Sequence, residues 1–165
     1  RGDELWVTNG RVNEIWQSLF DDLRKPYIMQ RYPMNFIEIN PEDARVRKIE
    51  NGDYVSVEND DVLVQTGGFY GVASGDLFFT NLLKNGYIER TQGAVTAMAI
   101  VTDAVPPGVT FMYFLWPGSP ANSLVHNVPD PISNAPRYKL GKGRIRKIGE
   151  TPAKRSLTFA PKHNV

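Results

Sequence analysis

The 165-residue chain contains no cysteine. Within this segment, that absence excludes disulfide bonds, thiolate nucleophiles and any cysteine-ligated zinc or iron–sulfur centre. Histidine is almost as scarce, because the chain has only His126 and His163. We therefore expect no transition-metal site built from protein ligands alone.

Two further features are missing. The chain has no apolar run long enough to span a bilayer, so no membrane helix is expected. It also lacks a strong basic excess, because 19 Lys and Arg residues stand against 18 Asp and Glu residues. Bulk binding to nucleic acid normally requires such an excess. The hydrophobic content of 41% is ordinary for a globular protein, and the length suits a single domain over residues 1–165.

Short apolar segments separated by turn residues dominate the sequence. Its 14 glycines and 12 prolines are widely spread and predict many turns. This pattern favours a mainly β (α+β) fold, either a closed barrel or a sandwich with short helices between strands. Strands are predicted at residues 36–39, 54–57, 62–65, 94–101, 109–115 and 144–148, the last at a sheet edge because it is highly charged.

Several connecting elements can also be predicted. Asn40 followed by Pro41 indicates an N-capped short helix, and a second short helix is predicted at residues 80–83. Residues 25–33 are predicted to be irregular, and residues 59–61 are predicted to form the tip of a hairpin. Helical spacing further predicts an amphipathic helix from the apolar residues Ile15, Trp16, Leu19, Phe20 and Leu23.

The most informative motif is Asn9-Gly10-Arg11, which follows an apolar run and precedes the predicted amphipathic helix. A glycine turn, free backbone amides and a guanidinium would then lie at a helix N-terminus. Such an arrangement favours anions, and arginine makes bidentate contacts with phosphate. The alternative is an ordinary strand–turn–helix with a surface arginine.

Further motifs follow this one along the chain. Trp16 comes shortly after Gly10-Arg11, and the segment 39–44 precedes a Gly-Asp turn. The later motifs are Gly52-Asp53, the strand at 94–101, Pro107-Gly108, Asn122-Ser123-Leu124 and Arg137-Tyr138-Lys139. In this order they resemble the C-terminal domain of molybdopterin oxidoreductases of the dimethyl-sulfoxide-reductase superfamily.

Within that superfamily, the sequence is similar to the large subunit of arsenite oxidase. Residues 9–17, 25–31 and 139–143 carry the likeness, which extends over nearly all of 5–165. Many relatives have a histidine where this chain has Ile15, a departure that fits the arsenite oxidase branch. Formate dehydrogenase, nitrate reductase and arsenate reductase are rival members. A free-standing barrel that binds or assembles without catalysis is the alternative of another class.

The resemblance implies a double-psi β-barrel that binds molybdopterin guanine dinucleotide, as part of a molybdenum bis-MGD cofactor. It implies the C-terminal part of a catalytic subunit that oxidises arsenite to arsenate, with residues 150–165 as an extended tail. The iron–sulfur cluster would lie in other domains of the subunit, and a Rieske-type small subunit would receive the electrons. A periplasmic location is expected, without nucleic acid and without a membrane span.

The resemblance also indicates which residues would contact the cofactor. Arg11 would bind a phosphate or pterin oxygen, and Gly10 would allow close backbone approach, whereas Trp16 is expected in the core. No catalytic residue and no metal ligand are expected here, and His126 and His163 are interpreted as structural or surface residues. For several positions the alternative is a turn or a solvated loop. The expected cofactor contacts are Asn9, Gly10, Arg11, Asn13, Gln17, Asn122, Arg137, Tyr138 and Lys139.

Overall fold

The computed structural model describes residues 2–16, 19 and 21–155. These residues form six strands, namely β1 (Glu4–Gly10), β2 (Phe36–Ile39), β3 (Asp53–Gln65), β4 (Ile88–Val101), β5 (Val109–Tyr113) and β6 (Leu140–Glu150). Three short helices lie between the strands, namely α1 (Pro26–Arg31), α2 (Pro41–Val46) and α3 (Phe79–Lys84). Gln17, His163 and most of the predicted tail lie outside the described residues.

The six strands close into a barrel in the order β1, β5, β2, β4, β3 and β6, and β6 pairs with β1. Two neighbouring pairs, β1 with β5 and β2 with β4, are parallel. The other four pairs are antiparallel. The predicted mainly β fold, a double-psi barrel with short helices between strands, is confirmed.

Alternate residues of the strands fill the barrel interior. In β1, Leu5 and Val7 are buried while Trp6 between them is 44% exposed. In β3, Val55 and Val57 are buried in the same alternating pattern. Successive side chains of a strand point to opposite faces, so this period of two places one apolar face in the core.

The predicted cap of α2 is present. The Asn40 side chain accepts a hydrogen bond from the Glu42 backbone N–H at 3.0 Å, and Pro41 occupies the first turn of the helix. The Asn40 amide also donates to the Val105 carbonyl at 2.8 Å, which ties α2 to the segment that precedes β5. The helix predicted at 80–83 is also present, as α3.

The amphipathic helix predicted from Ile15 to Leu23 is wrong. In the described part of that segment, the chain forms turns and a short 3₁₀ turn (Asp22–Arg24), and Leu19 has a positive φ of 54°. The Trp16 backbone N–H donates to the Asp22 carboxylate at 2.6 Å, and the Tyr113 hydroxyl donates to the Trp16 carbonyl at 2.9 Å. These contacts use the backbone groups that a helix would need. Trp16, expected in the core, is 66% exposed, whereas its neighbour Ile15 is buried.

Three other local predictions are also wrong. Residues 25–33 are not irregular throughout, because Pro26 starts α1 at a position where proline is well tolerated. Residues 59–61 do not form a hairpin tip, because β3 runs on through a bulge between Asn59 and Val62. Residues 144–148 are not at an edge, because β6 pairs with both β1 and β3.

The strand register defines two ends of the barrel. We call the end where β1 finishes the Asn9 end. There Gly10 lies opposite Tyr113, Thr8 lies opposite Leu140, and β3 and β4 continue past the shorter strands. At the opposite end, which we call the Asp53 end, β3 begins opposite the end of β6.

A buried carboxylate holds the Asp53 end together. Asp53 is fully buried and accepts hydrogen bonds from Lys154 at 2.7 Å and from the Glu50 backbone N–H at 2.8 Å. Lys147 lies 3.0 Å from the same carboxylate. Burial by itself raises the pKa of Asp53, but the hydrogen bonds from Lys154, Glu50 and Lys147 outweigh it and hold that pKa below its ordinary value.

We expect Asp53→Asn to lower the free energy of unfolding at neutral pH by about 1–3 kcal/mol, because it leaves the two lysines without their buried partner. The lowered pKa means that Asp53 stabilises the fold above its ordinary pKa, and that this contribution is lost as the pH falls through the folded-state value. Urea unfolding between neutral and acidic pH should therefore show a weaker acid dependence in the variant. Asp61→Asn, at an exposed ion pair with Arg90, should change stability little; equal effects of the two substitutions would contradict this account.

Candidate functional site

Two adjoining cavities lie on the β3 and β4 side of the Asn9 end. One, of about 370 Å³, is bordered by the loop that leads from residue 125 to residue 138. The other, of about 520 Å³, is bordered by Val62, Val64 and the first half of β4. The cavities share Asn122, Val125 and Asn127, and we call the two cavities together the Asn122 groove.

A single 3₁₀ turn, Ala121–Leu124, forms the middle of this groove. Ala121 and Leu124 are buried beneath the turn, which leaves Asn122 exposed above it. The Ala121 backbone N–H donates to the Phe114 carbonyl at 3.2 Å, and the Asn59 side chain donates to the Leu124 carbonyl at 2.8 Å. The residue that follows β5 and the bulge of β3 thus hold the turn in place.

Two glycines allow this turn to approach the barrel wall. A Cβ added at Gly93 would lie 1.8 Å from the Ser123 carbonyl oxygen, and one added at Gly141 would lie 2.6 Å from the Leu124 carbonyl oxygen. Both clashes would be with backbone atoms, which cannot rotate away as a flexible side chain would. The groove therefore requires glycine at two positions that belong to different strands.

His126 lies in the wall of the first cavity. Its Nδ1 accepts a hydrogen bond from the Leu63 backbone N–H at 3.0 Å. Burial lowers the pKa of His126; the charge of Asp61 opposes this shift, while Arg137 and Arg90 add to it. The imidazole is therefore neutral at pH 7. The expectation of a structural histidine agrees with the Leu63 contact but does not account for its place in the cavity wall.

Asn9 connects β1 to the same wall. It is 4% exposed, and its Nδ2 donates to the Tyr138 carbonyl at 2.6 Å. This acceptor fixes the orientation of the amide. The Asn9 Oδ1 atom is buried and has no hydrogen-bond partner among the described residues. An unsatisfied buried acceptor is uncommon in proteins, and an N–H donor on a bound ligand would satisfy it.

The expected contact residues fall into two groups. Asn122, Arg137 and Tyr138 line the first cavity together, with Asn9 bonded to the Tyr138 carbonyl. Lys139 lies 5.4 Å from the Tyr138 ring centroid, in a cation–π contact. The remaining residues lie elsewhere: Gly10 packs near the Phe111 ring, Arg11 and Asn13 are exposed beyond β1 and do not line either cavity, and Gln17 is outside the described residues.

Asp130 orders the loop that carries Arg137. Its carboxylate accepts hydrogen bonds from the Ser133 and Ile132 backbone N–H groups, at 2.7 Å and 3.1 Å, and from the Ser133 hydroxyl. These bonds lower the pKa of Asp130. Sequence reasoning missed Asn127 and Asn134, which also line the cavity. Pro129, Pro131 and Pro136 are typical of a loop, but they do not indicate which asparagines of this segment face the groove.

The Asn122 groove thus combines one guanidinium, a neutral imidazole, several amides and an aromatic ring. Guanidinium and amide donors suit phosphate and heterocyclic ligands. In the part of the chain that the structure describes, no cluster of three or more His, Asp or Glu side chains could hold a metal ion. Over those same residues, none of the helices has the length and apolar character needed to cross a membrane.

Comparison with known proteins gives a family match. Residues 5–79 and 88–141 match the sequence model of the family described as "Molydopterin dinucleotide binding domain". The match covers all six strands in whole or in part, together with the 3₁₀ turn and the loop that line the groove. Residues 80–87, which include most of α3, fall between the two matched segments.

Several curated proteins are similar in sequence. The chain is 54% identical over 155 residues to iodate reductase subunit IdrA of Denitromonas iodatirespirans, and 55% identical over 155 residues to the same subunit of Pseudomonas sp. (strain SCT). Each alignment covers 94% of this chain and 17% of the relative. This chain is also 32% identical over 110 residues to arsenite oxidase subunit AioA of Herminiimonas arsenicoxydans. That alignment covers 62% of this chain and 12% of that protein. The chain thus spans less than a fifth of the length of these relatives.

We expect Gly93→Ala to destabilise the fold by about 1–3 kcal/mol or more, the range seen when a packed core receives an extra methyl group. The added Cβ would push the Ala121–Leu124 turn away from β4. Thermal unfolding of the chain followed by circular dichroism measures the effect. Gly67→Ala is the matched control because a Cβ at that position meets nothing within 4 Å. An unfolding midpoint unchanged by Gly93→Ala would show that the turn does not depend on the close approach.

Proposed function

The chain belongs to the molybdopterin dinucleotide binding domain family, and we propose that its Asn122 groove holds the dinucleotide in this protein. As a member of this family, it is a molybdopterin-binding domain of a molybdenum oxidoreductase. The cofactor is molybdopterin guanine dinucleotide. When bound, it supplies the redox chemistry of the enzyme at its metal, while the protein supplies binding, orientation and electrostatics.

The observation that carries this proposal is the unpartnered Oδ1 atom of Asn9, whose Nδ2 atom donates to the carbonyl of Tyr138 in the cavity wall. Pterin and guanine both present N–H donors next to acceptor atoms, so their edges complement an amide. Arg137 in the same wall offers a planar set of donors for phosphate oxygens. The residues present therefore fit a ligand that carries both a heterocycle and phosphate groups.

The other predicted contacts extend this proposal. Arg11 and Lys139 add two exposed cations at the Asn9 end, where they would neutralise further phosphate charge. Gly10 stays a predicted contact at the end of β1, and Asn13 and Gln17 stay predicted contacts beyond it. None of these residues carries a proton or an electron in our account. Their role is to hold the cofactor and to fix its orientation.

For the complete subunit, we propose reduction of iodate. The support is the higher identity of this chain to iodate reductase subunits than to an arsenite oxidase subunit, over a larger share of its length. Oxidation of arsenite, which the sequence motifs suggested, is the second candidate. A Rieske-type small subunit and a periplasmic location stay predictions, because both depend on parts of the assembly outside this chain.

The complete subunit should purify with molybdenum and with a pterin that becomes fluorescent after extraction and oxidation. With an artificial electron donor it should consume iodate, and this rate should exceed arsenite oxidation measured with an artificial acceptor. Faster arsenite oxidation would reverse the order of the two candidates. Absence of both molybdenum and pterin would favour a binding or assembly module without catalysis.

Arg11→Ala in the complete subunit should lower molybdenum content per subunit by about tenfold or more under conditions of limiting cofactor, since charge-assisted contacts are worth about 1.5–3 kcal/mol. The unfolding midpoint of the cofactor-free form should change little because Arg11 is exposed.

Arg45→Ala is the control for that substitution. Arg45 is also exposed, but it lies in α2, whose Asp43 accepts a hydrogen bond from the Gly108 backbone N–H just before β5, away from the end of β1. Equal molybdenum content in both variants and the wild type would make Arg11 an ordinary surface residue.

A further inference from the structure

We infer that His126 is a cofactor-binding residue, which donates a hydrogen bond from its Nε2–H group to a phosphate oxygen of the dinucleotide in the Asn122 groove. This inference rests on the proposed function. It goes beyond the expected contact set, in which His126 had only a structural or surface role.

The first support is the rigid placement of the residue. The Asn127 backbone N–H donates to the Leu63 carbonyl at 2.7 Å, and the Gln65 backbone N–H donates to the Asn127 carbonyl at 3.2 Å. The segment after the 3₁₀ turn is therefore bonded to β3 directly beside His126. A side chain held in this way loses little conformational freedom when it binds a ligand.

The second support is the tautomer. Because Nδ1 accepts the Leu63 backbone N–H at 3.0 Å, it carries no proton. In the neutral imidazole the proton must then be on Nε2. The charged groups that act on the ring are Asp61, Arg137 and Arg90. The two arginines and burial favour the neutral form, so a single donor of fixed identity is present at pH 7.

The third support is that the Nε2 atom, on the other edge of the ring, is left without an acceptor among the described residues. Among the described residues, none accepts a hydrogen bond from Nε2, and this atom is not among the buried unpartnered polar atoms. The residue lines the same cavity as Asn122 and Arg137. A neutral donor beside a guanidinium suits a phosphate group, whose several oxygens can accept from both.

Two substitutions separate this role from a purely structural one. In His126→Asn, the side-chain oxygen lies near the position of Nδ1 and can still accept from Leu63, but no donor reaches the position of Nε2. In His126→Gln, the amide nitrogen reaches the position of Nε2, but the bond to Leu63 is lost. Each variant therefore keeps one of the two contacts and removes the other.

The test uses the cofactor-loaded complete subunit and follows molybdenum release in sub-denaturing urea, with the unfolding midpoint measured in parallel. We expect His126→Asn to release the cofactor about 10- to 100-fold faster than wild type at a near-normal unfolding midpoint. His126→Gln should release it at a rate closer to wild type, although its midpoint falls. The reverse pattern, with normal retention in His126→Asn and rapid loss in His126→Gln, would overturn the inference.

A second measurement needs no variant and stays decisive if either substitution impairs folding. The imidazole C2–H group exchanges slowly with solvent deuterium when the ring is accessible, and peptide mass spectrometry can follow this reaction at His126. The reaction should be slower in the cofactor-loaded enzyme than in the cofactor-depleted one, and equal rates would overturn the inference. Wild-type protein that purifies with neither molybdenum nor pterin would instead overturn the proposed function, and this inference with it.

Discussion

The architecture of the candidate site depends on the close contact between two glycines and one backbone turn. The carbonyl oxygens of Ser123 and Leu124 occupy the space that side chains at Gly93 and Gly141 would need. Packing at this distance excludes every residue with a Cβ unless the backbone moves. Because β4 and β6 each contribute one glycine, the turn is fixed to the barrel at two points. The turn therefore fixes the position of the exposed Asn122. It also fixes the start of the following chain, which forms part of the groove wall.

The two ends of the barrel serve different purposes. At the Asp53 end, opposite charges are paired with one another, and the buried carboxylate is fully used by neighbouring lysines and a backbone amide. At the Asn9 end, the Asn9 oxygen lacks a partner among the described residues, and Arg137 and Tyr138 are exposed in the cavity wall. Satisfied polar groups stabilise a fold, whereas unsatisfied ones leave bonding capacity for a ligand. The Arg47 Nε atom near the Asp53 end is also buried and unpartnered in the described part of the chain, so the assignment of cofactor binding to the Asn9 end rests on the Asn9 oxygen together with the cavity lined by Arg137 and Tyr138.

Sequence reasoning succeeded where the determining interactions are local. The Asn40 cap acts within two residues, and strand alternation depends only on neighbouring positions, so both could be predicted. The helix after Arg11 could not be excluded, because the Tyr113 hydroxyl that binds the Trp16 carbonyl comes from 97 positions away. Likewise, Asp60 and Asp61 are of a residue type that is common in turns, and for this reason the sequence predicts a hairpin tip there. Within β3 their carboxylates instead pair with Arg144 and Arg90 on the adjacent strands.

The same distinction applies to the candidate site. The motif order pointed to Asn122 and to the basic triplet that begins at Arg137, and the structure places Asn122, Arg137 and Tyr138 around one cavity. The tautomer of His126 could not be predicted, because it depends on the backbone amide of Leu63, 63 positions earlier. No local pattern in the sequence carries that information.

The most direct test of the central claim is an experimental structure of the complete subunit with its cofactor bound. Our account predicts that the dinucleotide lies against the Asn9 end, with its phosphate groups within hydrogen-bond distance of Arg137. It also predicts an N–H donor of the ligand at the Asn9 Oδ1 atom. A dinucleotide that contacts this chain only at the Asp53 end, or that leaves the Asn122 groove filled by another domain of the subunit, would contradict the account.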